Sequence, residues 1–252
     1  MPIPAKAFQR WLHGIAPNTS TSDICRVSGI KRTTLAQQLV RGKVAETTVV
    51  SISRAYNVNP VSALAAFDAY SQLTDTRPPS RSELVSQIST PDLLRAVLAR
   101  SAADPGGVPA AAAPAGSPAG SPALEPAPHA TSVKNWVEAI DDGELRHRVS
   151  AATGIAPQNY SAQLTANRLA PELAVATSVA AGVAPASGLV ATGLVTETEA
   201  GWPPGARQAA LDSLSDGELT TLAGDRLQTL GRALRRQEHD HEKTEKIWEN
   251  LG

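Results

Sequence analysis

Between residues 31 and 43 the chain gathers Lys31, Arg32, Thr33, Thr34, Gln37, Gln38, Arg41 and Lys43. Arginine and glutamine can each hold two atoms of a base edge, which separates guanine from adenine, whereas lysine and hydroxyl groups meet phosphate oxygens without regard to sequence. On a helix of about 3.6 residues per turn, Arg32 or Thr33 shares with Gln37 a face that avoids Leu35 and Leu39. Those three are the candidate base readers. Lys31, Arg41, Lys43 and the Thr21 hydroxyl suit phosphates, and Thr34 and Gln38 complete the lining of the same helix. The bland alternative is a solvated polar face on a structural bundle.

Charge favours the first reading. Residues 1–70 hold eight lysines and arginines against three acidic residues, a local net charge of +5 in a chain whose formal net charge is −1. A basic face of that kind attracts duplex phosphates through counterion release, whatever the charge of the rest.

The segment carrying these residues occurs twice. Displaced by 125 residues, Trp11 meets Trp136, Gly29-Ile30 meets Gly154-Ile155 and Gln38-Leu39 meets Gln163-Leu164. The ungapped register gives fifteen identities between positions 8 and 66, the mark of an internal duplication. With one further residue of offset it continues through Arg81/Arg207 and Leu93/Leu219, so the repeating unit is a small domain of about a hundred residues.

The elements that must position the chemistry read as short helices. Phe8, Trp11, Leu12 and Ile15 mark one helix face before Pro17-Asn18; Ser22-Asp23 open a second helix, which Gly29 breaks where the backbone needs positive φ. Lys31–Val40 form a third, packed through Leu35 and Leu39 and stopped at Arg41-Gly42; Thr47–Tyr56 form a fourth; Pro60 begins a fifth that runs to about Leu73. Two helices with a three-residue break between them describe a helix-turn-helix core.

The run Thr21 to Leu35, then Arg41-Gly42-Lys43, then Ala55-Tyr56-Asn57-Val58-Asn59-Pro60 and Leu64, resembles the lambda-repressor-like DNA-binding domain of Cro, phage repressors and xenobiotic-response-element regulators. The resemblance spans residues 5–73 and, more weakly, 130–195. It implies a five-helix bundle whose third helix enters the major groove. One departure is that Gly29 to Gly42 is one residue longer than in the best-known phage repressors.

The second copy keeps the pattern with a different surface. Residues 132–200 carry four basic and seven acidic residues, net −3. Gln158, Asn159 and Gln163 line its third helix without a cation, while Arg146 stands at the register position of Thr21 and Arg168 at that of Lys43. The copy either still touches DNA or has become a protein-binding or supporting module.

Other chemistry is thin. Cys25 is single, which rules out an internal disulfide or a cysteine metal cluster and fits a reducing compartment. It reads as a small buried hydrophobe, and Trp11 and Trp136 as core aromatics. His239-Asp240-His241-Glu242 sits in a charged run with the helix-supporting pair Glu242/Lys246, so a solvated tail outweighs a metal site. No phosphate loop, nucleophile elbow, zinc spacing or dinucleotide fingerprint occurs, hence neither an enzyme nor a cofactor is expected. Nothing near the N-terminus reads as a signal peptide and no apolar run spans a membrane, so the expected location is the cytoplasm of a bacterium, or of one carrying a phage.

The expected architecture is therefore all-α: a helix-turn-helix domain with trailing helices over residues 1–102, a disordered Ala/Pro/Gly/Ser linker over 103–130 and a diverged second domain over 131–252, tethered rather than fused. Leu211, Leu214, Leu219, Leu222, Leu227, Leu230 and Leu234 recur at helical spacing. This stripe docks on its own unit, as Leu84, Ile88, Leu94 and Leu98 do in the first, or pairs two chains into a homodimer. The functional expectation is a sequence-specific DNA-binding regulator, a repressor of the phage-immunity kind, which needs double-stranded DNA. The alternatives are a scaffold that binds proteins through helix-turn-helix bundles and a nucleoid-type binder making phosphate contacts alone.

Overall fold

The computed structural model describes residues 3–103 and 123–251, with side chains for all of these but 103, 242 and 244–251. It is mostly helical, with little strand. The first copy supplies α1 (Ala5–Ile15), α2 (Thr21–Ser28), α3 (Arg32–Val40), α4 (Glu46–Ala55), α5 (Pro60–Ala65), a 3₁₀ helix (Asp68–Thr74), α6 (Arg81–Ser86) and α7 (Thr90–Ala103). The second supplies α8 (Ser132–Ile140), α9 (Leu145–Thr153), α10 (Pro157–Thr165), α11 (Pro171–Ala180), α12 (Ser187–Ala191), α13 (Ala206–Asp212) and α14 (Asp216–Leu251).

Local chemistry explains the boundaries. Ser20, rather than Ser22, caps α2 by accepting from the Asp23 amide at 3.1 Å. Asn59 caps α5 in the same way through the Val61 and Ser62 amides, with Pro60 in the first turn. The fifth helix ends sooner than the spacing predicts, because Phe67 leaves helical geometry (φ −107°, ψ 136°) to reach the core, and the 3₁₀ helix takes over. Left-handed backbone is shared by the copies at Asn18, Gly29, Gly42 and Asn57 in the first and at Gly143, Gly154, Asn167 and Gly182 in the second. These are the same four register positions, and asparagine alternates with glycine at three of them, as the left-handed region allows.

A short sheet stands beside the helices that the sequence pattern predicts. Ile3–Pro4 (β1) and Lys43–Val44 (β2) pair antiparallel, with Ile3 and Val44 fully buried. The second copy ties the same loop differently: Asn167 accepts from the Lys134 amide at 3.1 Å and donates to the Ala130 carbonyl at 2.8 Å.

Packing does not follow the tandem boundary. One compact unit joins Met1–Gln87 to Pro126–Arg207, and a second joins Ile88–Glu125 to Gln208–Gly252. Within the first unit a single apolar core runs from Ile3 and Phe8 through Leu64 and Tyr70 to Trp136, Leu145, Leu189 and Trp202. The 3₁₀ helix packs on α11 and α6 on α8. Polar clamps close the joint: Arg54 holds both carboxylate oxygens of Glu199 at 2.6 and 2.7 Å, Asn59 donates to the Glu199 carbonyl at 2.9 Å, and Arg77 to the Gly182 carbonyl at 2.7 Å. Buried Arg207 pairs with Glu197 at 2.8 Å and donates to the Gln87 carbonyl at 3.0 Å. The two copies are fused through shared apolar surface, where composition suggested a tether. Most of the expected linker, residues 104–122, lies outside the described residues. Its last part is bound: Glu125 donates its amide to Asp92, and Ala127 packs on the core.

The second unit is built on α7 and α14, one helix from each copy. Ser215 and Glu218 form a reciprocal cap at the start of α14. Arg100 reaches from α7 to the Leu211 and Leu214 carbonyls and to Asp216. Leu211, Leu214, Leu219 and Ala223 are buried with Ile88 and Leu93, so the leucine stripe docks over its first part. Among the described residues no helix is long and apolar enough to cross a membrane.

Candidate nucleic-acid interface

The apolar positions Leu35 and, more shallowly, Leu39 fix how α3 lies on the first copy. A helical wheel then puts Thr33, Gln37 and Val40 at the centre of the opposite face, with Ala36 on one flank and Thr34 and Arg41 on the other; Arg32, seven residues before Leu39, lies in line with that leucine at the first turn and so does not share the Gln37 face as the spacing suggested. All seven side chains are exposed. Val40 is 89 % exposed, an unusual position for a branched apolar side chain. Spacing alone assigns Val40 and Ala36 to this side of the helix, but neither carries a polar atom that would signal base recognition.

The cations surround that face. Lys31 caps α3 by position but not by side chain, so the first amides of the helix are without a side-chain partner. Arg41 and Lys43 follow its last turn, Lys43 held in β2 by the bridge to Pro4. Among the described residues no ion pair engages Lys31, Arg32, Arg41 or Lys43. Thr21 is exposed at the first turn of α2, and the Ser20–Asp23–Arg26 hydrogen bonds hold the Asp23 carboxyl below its ordinary range. A basic groove on α1, lined by Lys6, Gln9, Arg10 and His13, lies elsewhere on the same copy.

Two sequence candidates have other work. The Gln38 carboxamide oxygen accepts from the Ala45 amide at 3.2 Å and the Thr48 hydroxyl at 2.9 Å. Gln163 repeats the first contact, accepting from the Ala170 amide at 3.0 Å. Both helices that follow start at an alanine with no capping side chain, and a glutamine seven residues earlier supplies the missing acceptor. A carboxamide whose oxygen is spent in this way cannot fork onto adenine. The identity of Gln38 and Gln163 across the duplication is thus a matter of fold.

In the second copy α10 keeps the bounds of α3, displaced by 125 residues, and loses its chemistry. The central positions become Gln158, Ala162 and Thr165, and Pro157 replaces Arg32. The Ser161 and Thr165 hydroxyls turn back to helix carbonyls at 2.9 and 3.0 Å. Gln158 and Asn159 are exposed, as are Arg146 on α9 and Arg168 after α10. Arg148 is pinned by Asp142 at 2.9 Å and by the Ala180 carbonyl, which raises its pKa and lowers that of Asp142.

Buried Cys25 belongs to the core, as does Trp136; Trp11 is half-buried against Phe8 and Phe67 at ring distances of 5.8 and 5.9 Å. His239, Asp240 and His241 are exposed on α14, while the side chains of Glu242 and Lys246 lie outside those described. Set against family models, curated proteins and solved structures, the chain has no match.

Proposed function

We propose that the protein is a sequence-specific DNA-binding regulator in which α2 and α3 act as a helix-turn-helix pair of the lambda-repressor-like kind, with a second, diverged pair in α9 and α10. The observation that carries the reading is the exposed face of α3: a strip of Thr33, Gln37, Ala36 and Val40 beside Lys31, Arg32, Arg41 and Lys43, which have no ion-pair partner among the described residues. Arg32 and Gln37 supply donors for base edges, and Val40 and Ala36 offer apolar contact to thymine methyl groups. Lys31, Arg41, Lys43 and Thr21 meet phosphates on either side and fix the helix in register. A repressor role follows if the site overlaps a promoter. The test is selection of bound sites from random duplex DNA by the full chain, since the copies share one core. Enrichment of a defined site that is lost in Arg32→Ala or Gln37→Ala supports the reading; binding without enrichment leaves the phosphate-only role.

A protein-binding role has one specific observation of its own. The exposed face of α10 offers neither cation nor free hydroxyl at its centre, and its copy carries net −3. That surface suits a basic or apolar partner better than a phosphate backbone.

A further inference from the structure

Only the first part of the α14 stripe is covered. Leu219 and Ala223 are buried in the pair with α7; Leu227, Leu230 and Leu234 continue the same seam and are 45, 47 and 49 % exposed. Their spacing of three and four residues is that of a and d positions, and it carries on through Gln237 and His241. Gly224 and Gly231 border the seam with open space where a Cβ would stand, so a neighbouring backbone can approach.

Charge along this helix is segregated. Arg226 to Arg236 contains four arginines and no acidic residue, whereas Glu238 to Glu249 contains five acidic residues against two lysines. Two such helices laid parallel would set like charges side by side. Laid antiparallel about residue 237, each basic stretch meets the acidic stretch of the other.

We propose that the exposed half of α14 is a self-association surface whose occupant is a second copy of this chain, paired antiparallel through Leu227, Leu230 and Leu234. The inference rests on the continuity of the seam with the α7·α14 pair and on charge complementarity, and is independent of the nucleic-acid reading. The consequence is a two-fold assembly with the crossing point near Gln237.

Sedimentation equilibrium on the full chain tests it. The expected mass is twice 26.2 kDa, and Leu230→Glu with Leu234→Glu weakens association at least about tenfold, because both charges enter a desolvated seam. Both positions face solvent in the single chain, so circular dichroism of the variant should stay that of the parent. Orientation is read with cysteines in a Cys25→Ser background. Gln237→Cys should cross-link to itself. Leu230→Cys should not, since seven residues on each side of the crossing separate the two thiols by about 21 Å at about 1.5 Å per residue, far beyond disulfide reach. A monomeric parent, or a dimer indifferent to the two glutamates, would overturn the surface; self-cross-linking at position 230 would overturn the antiparallel pairing.

Discussion

α3 and α10 have the same length, the same register and the same buried anchor position, Leu35 in one and Tyr160 in the other, yet Lys31, Arg32, Arg41 and Lys43 stand on and beside α3, whereas α10 carries no cation of its own and has Arg146 and Arg168 near it. What the two retain in common is what the fold requires: the left-handed glycine before the helix, the glutamine that tethers the following turn, and the apolar side chain facing the core. Apart from the Leu35/Tyr160 anchor, what differs falls at positions that α3 exposes. Duplication therefore separates the two kinds of constraint within one molecule, because identity marks structure and divergence marks surfaces released to other uses. The joint within the first unit obeys the same logic. Arg54 has Val179 at its register position and Glu199 has Thr74, so the clamp between the copies has no counterpart in the opposite direction.

The contrast is sharpest at the two tryptophans. Trp136 is fully buried, with α6 packed on its helix; Trp11 occupies the same register position half-buried. Trp136→Ala should cost about 3–5 kcal/mol of stability, and Trp11→Ala clearly less, because less contact is lost. Urea unfolding of both variants checks this. Equal costs would mean that α6 does not protect the second copy. Since one core runs through both copies, the first unit should also lose the fluorescence of Trp11, Trp136 and Trp202 in a single transition.

On the binding side, salt gives the next largest effect. If Lys31, Arg32, Arg41 and Lys43 neutralise about four phosphates, affinity should fall about a hundredfold between about 50 and 200 mM salt. Fluorescence anisotropy with a labelled duplex measures the slope. A flat response would remove α3 from the interface and leave the fold without its proposed partner.

Individual readers come after that. Arg32→Ala and Gln37→Ala should each cost about 1–3 kcal/mol on the selected site and much less on random duplex. Lys43→Ala should weaken both kinds of DNA alike, as phosphates carry no sequence. Asn159→Ala on α10 should leave site preference unchanged. Loss of discrimination there would show that both copies read bases.

Helix positions, the duplication and the exposed face of α3 were legible in the sequence because each depends on local periodicity and on turn residues such as Gly29 and Gly42. The partition into units was not. It depends on which apolar faces meet across a hundred residues, and the Ala/Pro/Gly/Ser stretch pointed to separation while Tyr70, Trp136 and Trp202 share one core. The work of Gln38 was hidden as well. Its partner is the Ala45 amide, a backbone group that no composition pattern announces. For the same reason β1 escaped notice, a strand of two residues being too short to show alternation.

The smallest effect concerns the clamp between the copies. Glu199 receives both arms of Arg54 and the Thr196 amide, and the guanidinium holds its carboxyl below the ordinary value of 4.5. A carboxyl whose pKa is lower folded than unfolded adds stability in full above its unfolded pKa. That contribution declines as pH falls through the ordinary carboxylate range, and it is gone below the folded pKa. Arg54 is partly exposed, so the contribution should be no more than about 1 kcal/mol. Glu199→Gln and Arg54→Val, the latter installing the residue found at position 179, should therefore each lower urea-unfolding stability slightly at neutral pH. For Glu199→Gln the deficit against the parent should close on acidification below the ordinary carboxylate range. The lowered carboxyls of Asp23 and Asp142 are present in parent and variants alike and cancel in the difference. A deficit that is unchanged in acid would assign the joint to its apolar contacts alone, with Arg54 serving only to fix register.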